Sequence, residues 1–134
     1  MLFKDYTYSV LIVSASEKFA ASIKAYLPEN EFGPVKLVKS AGEARRRLAD
    51  LDFDIVLINT PLADDFGTKL AHDVAVDTKS GVLMFVKADL YDEVTDRVID
   101  FGVFTISKPI SASMVHQVFK IMYAMQERFR SMEK

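Results

Sequence analysis

Three polar residues stand where apolar runs end, and together they are the chain's best candidates for chemistry. "DIVLIN" (54–59) closes on Asn59, "GVLMFV" (81–86) leads to Lys87, and "VFTIS" (103–107) leads to Lys108 and Pro109. Two ammonium groups beside an amide can capture a small anion, the phosphate or carboxylate of a metabolite, aided by loop amides. The other reading is that both lysines extend to solvent, or that Lys108 bonds the amide oxygen of Asn59. Asp64 and Asp65 either reach back as carboxylate ligands for a cation or form a solvated loop end at a helix N-terminus, where negative charge is favourable. Arg45, Arg46 and Arg47 read as a solvated helix face, with a phosphate-binding patch as the alternative. His72 and His116 read as surface or boundary residues of helices. With no nucleophile–base pair, phosphate-cradling Gly-rich loop or metal cluster in the sequence, no enzymatic activity is expected, and no cofactor.

The bulk composition narrows the classes further. A chain of 134 residues, half hydrophobic and 27% charged, has the length and make-up of one globular domain. Its net charge of -2, with both signs interspersed, gives no basic face for direct nucleic-acid binding. The absence of cysteine excludes disulfides, iron–sulfur clusters and thiolate zinc sites. No apolar run approaches the ~20 residues of a membrane span, and "MLFKDYTYS" lacks the apolar segment of a signal peptide, so a cytoplasmic address is expected.

The elements that must position these residues alternate regularly. "YSVLIV" (8–13), "VKLVK" (35–39), "DIVLIN" (54–59), "GVLMFV" (81–86) and "VFTIS" (103–107) are strand candidates. Helical periods fill the gaps between them. Ser14 and Glu17 have capping-box spacing before a helix that places Phe19, Ile23 and Leu27 on one face. Ser40 and Glu43 repeat that spacing before a helix burying Ala44 and Leu48. Residues 67–77 read as a third helix with Leu70 and Val74 inward. Asp89 is positioned to cap a fourth, from Leu90 to Phe101, and Ser111 to start the last. Parallel strands need crossovers, so five strands alternating with five helices imply a doubly wound α/β sheet. The flavodoxin-like order 2-1-3-4-5 puts the functional crevice at the carboxyl ends of strands 1 and 3, lined by Ser14, Ala15 and Asn59.

From about Tyr8 to about Tyr123 the chain resembles the CheY-like receiver domain of bacterial two-component response regulators. The resemblance rests on element order, the loop from Asn59 to Gly67, "FVKA" after strand 4 and "SKP" after strand 5. It implies an acidic pair at Ser14 and Ala15, a phosphoacceptor aspartate at Asn59, a switch hydroxyl at Lys87 and a switch aromatic at Thr105, none of which is kept. Lys108 before Pro109, a bond expected to be cis, is kept. The loop proline is displaced to Pro61. Magnesium wants oxygen ligands, usually including carboxylates, and phosphoryl transfer depends on its charge. The resemblance therefore implies a degenerate pseudo-receiver with no metal site and no phosphorelay step. It would act in signal transduction or transcription regulation by protein–protein association. A small-anion-sensing module in the same pocket is the alternative.

The last helix can run from Ser111 to about Met132, roughly 30 Å. Val115, Val118, Met122, Met125, Phe129 and Met132 step by 3, 4, 3, 4 and 3, the spacing of a coiled-coil seam. The reading is a receiver-like domain at 1–123 and a helical extension at 124–134. Met122, at the end of the domain, with Met125, Phe129 and Met132 in the extension, forms the seam of a homodimer, or of a stalk toward an output domain or partner. The alternative is a helix end that folds back or frays. Stalked receivers of this kind resemble the antiterminator class, whose output is the RNA-binding ANTAR domain.

Overall fold

The structure is a computed structural model that describes residues 6–133; the expected domain limits at residues 1 and 134 lie outside the described residues. Five parallel strands, β1 (Tyr8–Ser14), β2 (Phe32–Val38), β3 (Ile55–Asn59), β4 (Gly81–Lys87) and β5 (Phe104–Lys108), form one sheet in the order β2-β1-β3-β4-β5. The helices are α1 (Glu17–Tyr26), α2 (Ala41–Asp50), α3 (Thr68–Asp77), α4 (Tyr91–Val98) and α5 (Ala112–Met132). This is the expected flavodoxin-like arrangement. Every residue of β3 is buried, because helices cover both faces of the central strand. Leu11, Val56, Met84 and Val86 point into a core closed by α2, α3 and α4. Ile12, Leu57, Leu83 and Phe85 point into a second core closed by α1 and α5, around Ile23, Val115 and Phe119.

Local chemistry sets several boundaries differently from the sequence expectation. β1 runs one residue further, to Ser14, so the cap of α1 is Ser16, whose side chain accepts from Phe19 N. Glu17 instead pairs with Lys39 at 2.8 Å. At α2 the expected Ser40 cap accepts from Glu43 N. Asp89 caps nothing, since the chain is already wound into a 3-10 turn over Ala88–Leu90 before α4 begins. β2 starts at Phe32 because it lies at the sheet edge, where Pro34 is tolerated. An irregularity of register between Tyr8 and Val10 accommodates it.

Ser111 caps α5 as expected, by accepting from Met114 N. Met122 turns inward, its methyl group close to Gly81, and packs with the second core. The far end of α5 neither frays nor folds back. Gln126 Nε2 donates to Asp54 O at 3.4 Å, Tyr8 OH bonds the Glu127 carboxylate, and Arg130 Nε donates to Tyr8 OH at 3.2 Å. Arg130 also lies 4.6 Å from the centroid of the Tyr6 ring. Among the described residues no helix is long and apolar enough to cross a membrane.

Candidate functional site

The strand register brings the candidate residues to one end of the sheet. Ser14 faces Asn59 across β1 and β3, and Lys87 faces Lys108 across β4 and β5. At the centre lies Asn59, only 7% exposed. Its Nδ2 donates to Ser14 Oγ at 3.0 Å, and its Oδ1 accepts from Lys108 Nζ at 2.8 Å. Lys108 Nζ also donates to Thr60 O at 2.7 Å. Ser14 Oγ in turn donates to Ser16 O and accepts from Ser16 N, which ties the crevice to the cap of α1. Of the two readings of Lys108, the bond to the amide of Asn59 is the one observed. The Lys108–Pro109 bond is cis, as expected.

Two features shape the electrostatics. The Lys108 ammonium lies 5.9 Å from the centroid of the Phe19 ring, at the outer range of a cation–π contact. Phe19 is itself held edge-on against Phe85. Burial, and secondarily the charge of nearby Lys87, push the Lys108 pKa below its ordinary value. Lys87 itself is exposed. Two hydrogen bonds and one aromatic face thus hold the Lys108 ammonium.

The other expected positions take no part in this cluster. Ala15 is exposed at the mouth of the crevice. Thr105 is buried on the α4 side, where its hydroxyl meets that of Thr95 at 2.7 Å. Phe104 lies beside Leu83 in register and is 48% exposed on the opposite face, so no ring takes the place of Thr105. Asp64 does not reach back toward Asn59. Its carboxylate accepts from Ala41 N at 2.8 Å and Gly42 N at 3.0 Å, capping α2 from a distant loop. Those two backbone donors, Ala41 N foremost, hold its pKa below the ordinary carboxylate value. Asp65 contributes its backbone carbonyl to a turn, accepting from Leu62 N at 2.8 Å. Among the described residues no group of three or more His, Asp or Glu side chains is placed to hold a metal ion.

The loop between Asn59 and α3 is held tightly. Thr60 N and Oγ1 both donate to Phe85 O, which aims Thr60 O at Lys108. Gly67 adopts a φ of +117°, and a Cβ there would come within 3.1 Å of Ile58 Cγ2. A side chain at this position would meet backbone strain, and Ile58 would have to give way by a few tenths of an ångström. Sequence reasoning missed Thr60, because its contribution is a main-chain carbonyl and carries no side-chain signal. It also missed Thr95, whose hydroxyl inside a helix facing the sheet was the available clue. His72 packs edge-on against Phe101 and bonds Asp73, and Arg45 pairs with that same Asp73 at 2.9 Å. Both are surface contacts between helices. His116 is exposed on α5, and Arg46 and Arg47 are exposed on α2.

No protein-family model matches the sequence, and no curated protein matches it. Solved structures do match. The chain is similar to the signal receiver domain of an HD domain-containing protein from Pseudomonas fluorescens Pf-5, with 17% identity, 98% of this chain and 97% of that chain covered, and a TM-score of 0.81. It is similar to a CheY-like response regulator receiver domain protein from Methanospirillum hungatei JF-1, with 22% identity, coverage of 92% and 98%, and a TM-score of 0.79. A third structure, described as one of a family of redox sensors in the streptococci evolved from two-component response regulators, shares 18% identity, with 92% of this chain and 54% of that chain covered and a TM-score of 0.78. At these identities the shared property is the fold, that of CheY-like receiver domains.

Proposed function

We propose that the chain is a pseudo-receiver: a receiver-like signalling module that is not phosphorylated and works by associating with other proteins. One observation carries the reading. The position that the resemblance gives to the phosphoacceptor is Asn59, and its amide already satisfies Ser14 and Lys108. An acyl phosphate needs a carboxylate nucleophile, and magnesium needs anionic oxygens beside it. Ser14, Ala15 and Asn59 supply neither. Lys108 replaces phosphate-dependent pairing with a permanent bond, so the crevice holds one state. An output domain or a partner protein would then read that fixed surface, in signal transduction or transcription regulation. The streptococcal neighbour is described as a redox sensor evolved from response regulators, which supports the idea that this fold serves other inputs.

The anion-sensing reading requires a ligand to displace Asn59 Oδ1 and Thr60 O from Lys108, which weighs against it. A thermal-shift titration separates the two. Mg²⁺, phosphate, sulfate and acetyl phosphate should leave the melting temperature unchanged beyond general salt effects. A saturable rise with phosphate or a carboxylate, lost in Lys108→Met, would replace this reading with the anion sensor.

A further inference from the structure

Association leaves the chemistry of the partner open, and the groove between α3 and α4 narrows it. A cavity of about 540 Å³ opens there to the surface, a size that ligand pockets commonly have. Phe66, Leu90 and Val94 form its floor, and Asp65, Lys69, Glu93 and Arg97 its rim. Toward the C-terminal end of α4, Phe101 packs edge-on against His72 and is 43% exposed, with Ile99 near it at 58%. Apolar surface thus continues between α3 and the turn that follows α4. The rim cations are already engaged: Arg97 pairs with Glu93 at 3.1 Å, and Lys69 stands 3.8 Å from Asp73. Asp92, Asp96 and Asp100 are exposed, and among the described residues none of the three enters an ion pair. Negative charge is favourable in the first turn of a helix and unfavourable in the last. Asp92 and Glu93 occupy the first turn of α4, but Asp96 lies in its last turn and Asp100 beyond it. Glu93, Asp96 and Asp100 also follow at intervals of three and four, where like charges repel. The fold itself gives no use for those charges.

We propose that the α3–α4 groove docks a basic segment of a partner protein, lysines or arginines set about a large apolar anchor. This deepens the association reading above and rests on it. The apolar floor takes the anchor and strips it of water, as the centre of a tight contact does. Glu93, Asp96 and Asp100 then gain the counter-charge that α4 does not supply. The same charges discriminate, because an acidic segment meets repulsion and an uncharged one forgoes the attraction. The groove also adjoins the crevice without using its residues. Phe66 and Gly67 end the loop that begins after Asn59, and Leu90 lies in the turn that follows Lys87. A second copy of the chain fits this chemistry less well. In its arginine run Arg45 is engaged by Asp73 at 2.9 Å, and the next large side chain, Leu48, packs against its own core.

The test is a titration of the isotope-labelled full chain, followed by amide chemical shifts, with a synthetic peptide of leucines spaced among lysines. Two companion peptides keep its length: one has glutamates for the lysines, and one has lysines without leucine. The first peptide should shift the amides of residues 65–69 and 90–101 saturably, and weaken as salt rises above ~0.1 M. The leucine-free peptide should bind roughly tenfold more weakly, and the glutamate peptide should not bind. Asp96→Lys should weaken binding of the first peptide by roughly tenfold. Its melting temperature should hold or rise, because the helix dipole opposes the charge removed, and this separates lost docking from lost folding. Glu29→Lys, which changes an exposed acid just before the edge strand β2, should leave binding unchanged. No binding by the first peptide, shifts that map elsewhere, equal binding of the glutamate peptide, or equal losses in the two lysine variants would overturn the proposal. Shifts of the same amides on concentrating the chain alone would make a second copy the occupant and overturn it too. The reading of the crevice is judged separately, by phosphodonor chemistry at Asn59, so the two failures are told apart.

Discussion

Replacing Lys108 with methionine keeps most of the side-chain volume and removes the cation at the centre of the crevice. Two acceptors lose their donor, Asn59 Oδ1 at 2.8 Å and Thr60 O at 2.7 Å. Hydrogen bonds from a charged donor contribute roughly 1.5–3 kcal/mol each, and a buried acceptor left unpaired costs ~1–3 kcal/mol. Two effects reduce the total. Lys108 is only partly buried, so water reaches the freed acceptors, and removing a desolvated ammonium recovers part of its burial cost. The expected loss is about 2–3 kcal/mol, which for a domain of this size lowers the melting temperature by roughly 6–12 °C. Urea denaturation at neutral pH, followed by circular dichroism, should show a lower midpoint with an unchanged slope. Asn59→Leu combined with Lys108→Met should be less destabilised than the sum of the single changes by ~1–2 kcal/mol, because each removes the other's partner. A Lys108→Met variant within about 0.5 kcal/mol of the parent would refute the idea that this bond locks the crevice.

Two further outcomes follow from other contacts. Asp64 has a folded-state pKa below its ordinary value, so its contribution to stability is complete above the ordinary carboxylate range and is lost as pH falls through the lowered pKa. The stability advantage of the parent over Asp64→Asn should therefore be present at neutral pH and vanish in acid; an advantage that persists at the lowest pH would contradict it. Met114, Met125 and Met132 are exposed on α5, whereas Met84 is fully buried. Dilute peroxide should convert the first three to sulfoxides before Met84, as read by peptide mass mapping. Oxidation of Met84 as fast as Met125 or Met132 would contradict that order.

The sheet was legible because each strand is an apolar run bounded by a helical period, and β3 is apolar without alternation. Asn59, Ser14 and Lys108 were legible as neighbours because parallel order alone brings the strand ends together. What sequence could not fix was the partner chosen by each side chain. Lys108 had solvent, an anion or Asn59 within reach, and the geometry of Thr60 O decides among them. Asp64 caps a helix more than twenty positions earlier, a contact with no local signature. The α5 seam shows the same limit. Spacing alone cannot tell which of Val118, Met122, Met125 and Met132 face the sheet. The roll of the helix on the sheet does, by turning Met122 toward Gly81. Ser14 was read as a cap because its spacing to Glu17 fits one, but its hydroxyl is engaged by Asn59.

The central claim is that the crevice around Asn59 performs no phosphoryl chemistry. Incubation with acetyl phosphate and Mg²⁺, followed by intact-mass measurement, tests it most directly, with Asn59→Asp treated in parallel. The account predicts that the parent stays unmodified, and that Asn59→Asp does too, because Ser14 and Ala15 still give the metal no carboxylate. A stable adduct of one phosphoryl group on the parent, mapping to residues 52–67, would contradict it.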